Sequence, residues 1–478
     1  SRGQCHKSAL LRRTPWGLAA HNAMSVRWLA GWLLMNVMAA RFNALDNGLG
    51  MTPPMGWSSW NVFAADVTEQ KIISVIDAMV SLKAAGYEYI NIDDNWMEPQ
   101  RDSNGNLVTR AAQFPRGIKY LADYAHEKGL KLGIYSAHGS RTCCGNAGSY
   151  GHYQQDANLF ASWGIDYLKF DSCGGYPSNY TAVVEQHREY AAMRDALNRT
   201  GRPMYYSICQ IMDTPDSTVV RDSPSNCGHK SSYNVMAWSS AGLDPREVSN
   251  SFLVEWVNNN NYFNKSCSGW LSNLDSQQDL TLDSFSGPGG WNDNDMLSVG
   301  CNNVTGKPVP PGTPCSGYQS EIEQRAQFAL WCMQASPLIL GHDVRFMDDT
   351  VRAIITNKDM IAVNQDPLGH RARIAFQSDP HTRTLTVYVK HLADAESPRA
   401  VSMFNRGAEA ATMTVTRDML KLPNNTCGCI SAFDLDTHTT VVRNVTSKQV
   451  LRATVKSHQA LTVRLSCCVK QKSHTRGG

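Results

Sequence analysis

The stretch Tyr167-Leu-Lys-Phe-Asp-Ser-Cys173 has the pattern of a short apolar strand that ends in a carboxylate. Because side chains alternate along a strand, Lys169 and Asp171 are expected to point to the same side. A carboxylate at the end of an apolar strand is costly to bury unless it is paired or used. Two interpretations follow from this stretch alone, a structural ion pair and a catalytic carboxylate.

The same pattern, an apolar strand followed by an amphipathic helix, recurs from about residue 56 onward. Eight strands are predicted, at 55–61, 87–94, 131–136, 167–173, 204–209, 251–256, 295–300 and 337–342. Helices are predicted between them, at 69–85, 118–128, 153–163, 180–198 and 320–335. Eight such units favour a (β/α)8 TIM barrel, with an active site at the carboxyl ends of the strands. An open doubly wound sheet is less favoured, because no Gly-x-Gly-x-x-Gly turn follows the first strand.

The pattern changes near Gly369. Beyond about residue 374 the chain alternates in short apolar runs without long helical periodicity, which is typical of an antiparallel β-sandwich. We therefore predict an upstream extension and signal peptide at 1–44, a catalytic barrel at 45–370, a C-terminal sandwich at 371–468 and a tail at 469–478.

The composition is that of a globular protein, with 42% hydrophobic and 18% charged residues and a net charge of +3. The chain has no Lys/Arg block, so nothing in its charge favours nucleic acid as a partner. Residues 24–40 combine one positive charge, an apolar run and small residues, as in a secretory signal peptide. This apolar run is too short for a membrane span, and we expect no membrane attachment after signal removal.

Two further features agree with the secretory pathway and an extracellular or lysosomal/vacuolar destination. Six Asn-x-Ser/Thr sequons occur, at Asn179, Asn198, Asn264, Asn303, Asn424 and Asn444. The chain also has 14 cysteines, without paired zinc-ligand spacing, and such a number favours disulfides. The candidate pairs are Cys143 or Cys144 with Cys173, Cys209 with Cys227, and Cys301 with Cys315, whereas Cys332 is expected to be unpaired.

The residues at the predicted strand ends are mainly carboxylates, aromatics and amides. Aromatic faces pack on sugar C–H surfaces and carboxylates bind hydroxyl groups, so this set favours a carbohydrate ligand, and two carboxylates are the minimum for glycoside hydrolysis. A metal site at Asp93, Asp94 and Asp293 is the less favoured alternative, since no regular ligand spacing is present. We expect no metal and no cofactor.

Five blocks of the sequence resemble the signature blocks of glycoside hydrolase family 27, the α-galactosidases and α-N-acetylgalactosaminidases. They are Leu45-Asp-Asn-Gly-Leu-Gly-Met-Thr-Pro-Pro-Met-Gly-Trp57, Ile92-Asp-Asp-Asn-Trp-Met97, Tyr167-Leu-Lys-Phe-Asp171, Gly287-Pro-Gly-Gly-Trp-Asn-Asp-Asn-Asp-Met296 and Val363-Asn-Gln-Asp-Pro-Leu-Gly369. They occur in family order and span residues 45–370, and the C-terminal β-region matches the family's second domain more loosely.

The resemblance implies a retaining double displacement with Asp171 as the nucleophile. It implies that Asp93 and Asp94 hold the galactose 4- and 6-hydroxyls, and that Trp57, Tyr135 and Lys169 line the pocket. Lys169 beside Asp171 is expected to favour the ionised carboxylate that a nucleophile needs. The expected substrates are oligosaccharides, glycolipids or polysaccharides that contain α-galactosides, and a homodimer is an open possibility.

The chain departs from the family near the fifth and sixth strands. Gln210, expected to contact substrate, replaces the usual glutamate, and Leu253 replaces the usual arginine. Glu255 is the acid on the sixth strand and is predicted to be the acid/base, with Asp244 as the fallback. The alternatives are a glycosidase for α-N-acetylgalactosaminides, β-L-arabinopyranosides or α-glucans, or an inactive sugar-binding relative.

Overall fold

The computed structural model describes residues 47–172, 183–209, 251–253, 270–276, 286–301, 319–380, 382–396, 398–422 and 427–467. Within these residues, eight parallel strands, named β1 to β8, form one sheet. They are Met55–Ser58, Tyr89–Asn91, Lys131–Ala137, Tyr167–Asp171, Tyr205–Cys209, Ser251–Leu253, Trp291–Asp293 and Leu338–Leu340. The predicted TIM barrel is thus confirmed.

The sheet closes into a ring. Strands β1 to β7 pair in chain order, and β1 also pairs with β8. Between β7 and β8 the ring closes through a parallel bridge from Leu297 to Leu340. In this bridge the Leu297 N–H donates to the Ile339 carbonyl at 2.8 Å, and the Gly341 N–H donates to the Leu297 carbonyl at 3.0 Å.

The prediction of the seventh strand at 295–300 is wrong, because the strand is Trp291–Asp293. The apolar side chains of Met296, Leu297 and Val299 favoured the later position. However, Asp295 has a φ of 69°, and this left-handed conformation interrupts the extended backbone. The strand therefore ends at Asp293, and the carboxylates of Asp293 and Asp295 lie at the carboxyl end of the barrel.

The alternation predicted for β4 is present. Phe170 packs against Tyr153 and Tyr190 of the surrounding helices, with ring centroids 6.2 and 5.8 Å away. Tyr167 instead stacks on Tyr205 of β5 at 5.4 Å. Together with Tyr89, these two tyrosines form a separate buried cluster at the amino end of the strands.

Helices cover the outside of the barrel. Named α1 to α9, they are Trp60–Phe63, Glu69–Met79, Gly117–Glu127, Tyr153–Trp163, Val183–Arg199, Trp270–Ser276, Glu321–Gln334, Asp349–Ile355 and Lys358–Asn364. Their ends follow local signals. For example, Ser320 and Glu323 form a capping box at the start of α7, in which the Ser320 N–H donates to Glu323 Oε2 at 2.7 Å.

The C-terminal region is antiparallel, as predicted. Strands β9 to β16 are Arg373–Gln377, Leu385–His391, Arg399–Asn405, Ala411–Thr416, Ile430–Asp434, Thr439–Val445, Gln449–Val455 and Ala460–Cys467. Six of them form a sheet in the order β14-β13-β16-β11-β10-β9, and β12 pairs with β15. Buried residues of the two sheets, including Val401, Val463, Val415 and Leu451, share one apolar core. This is the core of a β-sandwich.

Several sequence predictions fall on residues outside the described ranges. These are the upstream extension and signal peptide, the tail after residue 468, and the sequons at Asn179, Asn264, Asn303 and Asn424. The sequons at Asn198 and Asn444 lie on exposed residues of the described part. Among the described helices, the structure shows none that is both long and apolar enough to cross a bilayer.

Candidate active site

Asp171 ends β4 and is held at the carboxyl end of the barrel by two donors. Its Oδ1 accepts a hydrogen bond from the Ser172 N–H at 2.7 Å, and its Oδ2 accepts one from the Tyr135 hydroxyl at 2.9 Å. Asp171 is 7% exposed, so the residue is largely shielded from solvent. The two contacts fix the orientation of the carboxylate before any ligand binds.

Tyr135 reaches Asp171 from the neighbouring strand β3. Burial, and then the charge of Asp171, raise the pKa of Tyr135 well above its ordinary value. The phenol therefore stays protonated and can act as the donor in this hydrogen bond. Sγ of Cys143 lies 3.2 Å from the Tyr135 hydroxyl and 3.3 Å from Asp171 Oδ2, so it packs against the same pair.

Lys169 forms its direct ion pair with Asp93, not with Asp171. Its Nζ lies 2.7 Å from Asp93 Oδ2, which also accepts a hydrogen bond from the Ser58 hydroxyl at 3.3 Å. Burial alone would lower the pKa of Lys169, but the charges of Asp93 and then Asp171 raise it above its ordinary value. Lys169 thus faces the same interior as Asp171, as predicted, and acts on it through its charge.

Asp94 is oriented by backbone and amide donors. Its Oδ2 accepts a hydrogen bond from the Cys144 N–H at 2.8 Å, and its Oδ1 accepts from the Asn95 N–H at 2.6 Å and the Asn146 amide at 3.3 Å. Burial raises the pKa of Asp94, while the hydrogen bond from Cys144 opposes this rise. The carboxylate is therefore anchored to the 142–146 loop.

Trp57 is fully buried at the end of β1, and its indole N–H donates to the His342 carbonyl at 2.8 Å. This contact fixes it to the β8 side of the barrel. The structure thus gathers Asp93, Tyr135, Lys169 and Asp171 in one network, with Asp94 adjacent to Asp93 and Trp57 on the barrel wall. Gln210, Asp244 and Glu255 lie outside the described residues, and their roles stay predictions.

Asp293 and Asp295 form a second carboxylate pair inside the barrel. The Asp295 N–H donates to Asp293 Oδ1 at 2.8 Å, and both side chains line a cavity of about 40 Å³ that Lys169 and Cys209 share. Burial raises the pKa of Asp293 to about 7, aided by Asp295, and burial raises that of Asp295 to about 6. In the sequence predictions, Asp293 belongs only to the less favoured metal site, and Asp295 has no individual role. Correct placement of β7 would have put both carboxylates at the carboxyl end of the barrel.

We expect Asp293→Asn to flatten the pH dependence of stability. The pKa of Asp293 is about 7 in the folded state, and about 3.9 in an unfolded chain. Between these two pH values the folded state binds one proton more than the unfolded state. The contribution of Asp293 to the free energy of unfolding is therefore complete below about pH 4 and is lost as the pH rises to about 7. The shift corresponds to on the order of 4 kcal/mol. Denaturant unfolding from pH 4.5 to 7.5 measures it.

The matched control for this prediction is Asp123→Asn, which removes an exposed carboxylate of α3. The Asp123 variant should reproduce the wild-type slope, whereas Asp293→Asn should gain stability over wild type as the pH rises. Parallel curves for all three proteins would show that Asp293 is ionised throughout this range.

The cysteines correct part of the disulfide prediction. Of the two alternatives at 143 and 144, Cys143 is disulfide-bonded and Cys144 is free. Cys301 is also disulfide-bonded. The partners of Cys143 and Cys301 lie outside the described residues, so the pairings with Cys173 and Cys315 stay predictions. Cys332 is free, as predicted.

The predicted disulfide between Cys209 and Cys227 is wrong, because Cys209 is a free, buried thiol. As the last residue of β5, Cys209 points into the barrel, where it interacts with Asp171 and lines the cavity with Asp293. This direction takes its sulfur away from the barrel surface. A disulfide that the sequence did not indicate joins Cys427 to Cys467 in the sandwich.

Comparisons with known proteins identify relatives of this chain. A family model described as Alpha galactosidase A matches residues 52–366. An α-galactosidase of Cyamopsis tetragonoloba is 38% identical over 83% of this chain and 82% of its own length. Alpha-galactosidase A of Cellvibrio japonicus is 42% identical over 76% of this chain and 78% of its own. The crystal structure of α-galactosidase I from Mortierella vinacea gives a TM-score of 0.72 at 31% identity, and the match covers 88% and 98% of the two chains.

Proposed function

This chain belongs to the α-galactosidase family of glycoside hydrolases, and from that membership we propose that it removes terminal α-D-galactosyl residues by a double displacement. In this proposal Asp171 is the nucleophile. The observation that carries it is the position of the Asp171 carboxylate, which lies at the carboxyl end of β4 with Oδ2 held by Tyr135 and Oδ1 by the Ser172 N–H. A positioned carboxylate of this kind suits attack on an anomeric carbon.

The sugar would be held by the carboxylates beside the nucleophile. Asp93 and Asp94 are buried, and their oxygens can accept hydrogen bonds from the 4- and 6-hydroxyls of galactose. Lys169, paired with Asp93 at 2.7 Å, can donate to a sugar oxygen as well. Because these groups are already oriented by protein contacts, the sugar loses little binding energy to their ordering.

The reaction proceeds in two steps. First the Asp171 carboxylate attacks the anomeric carbon, the bond from this carbon to the leaving oxygen breaks, and an acid gives that oxygen a proton. The acid, now a base, then takes a proton from water, whose oxygen attacks the same carbon and releases Asp171. Two inversions leave the product in the α configuration. Glu255, or Asp244 as the alternative, is proposed as the acid/base, and its carboxyl should lie about 5–5.5 Å from Asp171.

A second candidate function is hydrolysis of a related glycoside, such as an α-N-acetylgalactosaminide, a β-L-arabinopyranoside or an α-glucan. The observation that favours it is Leu253, where the family usually has an arginine. The backbone of Leu253 pairs with Cys209 on one side and Asp293 on the other, at the level of the candidate site. The arginine and glutamate that Leu253 and Gln210 replace are used in the family around the 2-hydroxyl of the sugar. Both changes therefore point to altered recognition at the 2-position.

A panel of aryl glycosides separates these candidates. We expect kcat/KM for the α-galactoside to exceed that for every other glycoside by about two orders of magnitude or more, because sites built to bind hydroxyls reject analogues strongly. Proton NMR of early product should show α-galactose, the retained anomer. A preference for another glycoside would establish the second candidate, and no turnover of any glycoside would overturn both.

A further inference from the structure

A groove of about 310 Å³ lies between the six-stranded sheet and α9, and we call it the sandwich groove. Its volume is at the lower end of the roughly 300–1,000 Å³ of small-molecule sites. The side chains that give it chemical character are three hydroxyls, one aromatic ring, one guanidinium and one carboxylate: Ser431, Thr440, Ser466, Phe433, Arg464 and Asp359. None of these belongs to the candidate active site.

The strand register places these groups side by side. Phe433 of β13 pairs with Thr440 of β14 on one side and with Arg464 of β16 on the other. Their neighbours in the strands, such as Ala432 and Leu465, are buried in the sandwich core. Because side chains alternate between faces, the row of Thr440, Phe433 and Arg464 points away from that core. The sheet thus presents an aromatic ring flanked by polar groups.

Helix α9 closes one side of the groove. It is fixed to the end of β13 by Asn357, whose amide donates to the Leu435 carbonyl at 2.7 Å. Asp359, in the first turn of α9, faces the groove and lies 2.9 Å from His438. This contact leaves carboxylate lone pairs that can accept from a ligand hydroxyl.

Arg464 provides the donor. One guanidinium nitrogen lies 2.9 Å from Asp394, and the side chain is 32% exposed and lines the groove, so N–H groups beyond that contact can donate to a ligand. The charge of Arg464 is balanced by Asp394, and Asp359 adds a further carboxylate. An anion is therefore disfavoured here, and a ligand with neutral hydroxyls is favoured.

We infer that the sandwich groove binds a neutral saccharide, as a second carbohydrate site apart from the catalytic one. The ring of Phe433 would pack on a sugar C–H face, the guanidinium of Arg464 would donate to a sugar oxygen, and Asp359 would accept from a hydroxyl. A site of this kind keeps a polysaccharide bound between hydrolytic events and raises the concentration of substrate near the barrel. The inference rests on the proposed function only for the choice of polysaccharide.

The test uses galactomannan, a mannan that carries α-galactosyl branches, and an aryl α-galactoside. For Arg464→Met we expect KM for galactomannan to rise by about tenfold, and kcat/KM for the aryl galactoside to stay unchanged. Thr440→Trp, which fills the groove from an exposed strand position, should have the same effect. Arg452→Met, which removes an exposed arginine of β15 outside the groove, is the matched control and should behave as wild type.

Binding is measured separately with the Asp171→Asn protein on insoluble galactomannan, in excess free galactose to fill the catalytic site. We expect retention on the polysaccharide, and its loss when Arg464→Met is added. Unchanged galactomannan kinetics and unchanged retention in both groove variants would overturn the inference. If wild type does not hydrolyse the aryl galactoside, the proposed function fails instead, and the retention assay still decides the groove.

Discussion

Asp171→Asn is expected to lower kcat/KM on an aryl α-galactoside by about four orders of magnitude or more, because an amide cannot form the glycosyl ester. The neighbouring side chains are engaged in other contacts and are not free to replace Asp171 as the nucleophile. Asp171 Oδ2 is the acceptor for Tyr135, whereas Asp93 is engaged with Lys169. Asparagine has nearly the same shape, so galactose should still raise the melting temperature of the variant.

Chemical rescue identifies the role of Asp171 more directly than loss of activity. In Asp171→Gly, azide can enter the space left by the side chain and attack the anomeric carbon of an activated aryl galactoside. The bond to the aryl oxygen breaks, and the expected product is β-galactosyl azide, with inverted configuration. Asp123→Asn, on the surface of α3, should keep wild-type activity. Turnover by Asp171→Asn near the wild-type rate, or rescue that yields the α-azide, would exclude Asp171 as the nucleophile.

The barrel could be predicted from sequence because its strands and helices differ in period. The helix predicted at 153–163 is found at Tyr153–Trp163, and β4 shows the expected alternation of Phe170 outward and Lys169 inward. The seventh strand could not be placed in this way. Its three residues, Trp291–Asp293, are too few to establish a period, and the apolar run after them gave a stronger signal. The positive φ of Asp295, which ends the extended backbone, leaves no trace in hydropathy.

The site was predictable as a set of residues but not as a set of contacts. Carboxyl ends of parallel strands converge, so Asp93, Tyr135 and Asp171 were expected together. Which groups pair depends on the stagger of the strands around the barrel, and side-chain alternation does not determine that stagger. Lys169 therefore pairs with Asp93, which follows β2, although Asp171 is two residues away on its own strand. The inward direction of Cys209 follows instead from alternation along β5, since Ser207 two residues earlier lines the same cavity.

The ion pair between Lys169 and Asp93 should be essential for stability as well as for activity. Its atoms are 2.7 Å apart, and the side chains are 18% and 2% exposed. Removing one partner leaves a buried charge, which costs about 3–5 kcal/mol. We therefore expect Lys169→Met and Asp93→Asn each to lower the free energy of unfolding by about this amount. Each should also lower kcat/KM by at least about a hundredfold, since a sugar-binding carboxylate is lost or misplaced.

The double variant separates the two effects. With both charges removed, neither member of the pair is left as a buried charge without its direct partner, although Asp171 still loses the nearby charge of Lys169. We therefore expect Lys169→Met/Asp93→Asn to lose about 2 kcal/mol less than the sum of the single variants, while activity stays lost. The comparison cycle uses Lys119 and Asp123, an exposed pair whose side chains are 58% and 54% accessible. Its coupling should stay below about 1 kcal/mol. Equal coupling in the two cycles would show that the Lys169–Asp93 pair is solvated, and recovery of activity in the double variant would remove Asp93 from the sugar site.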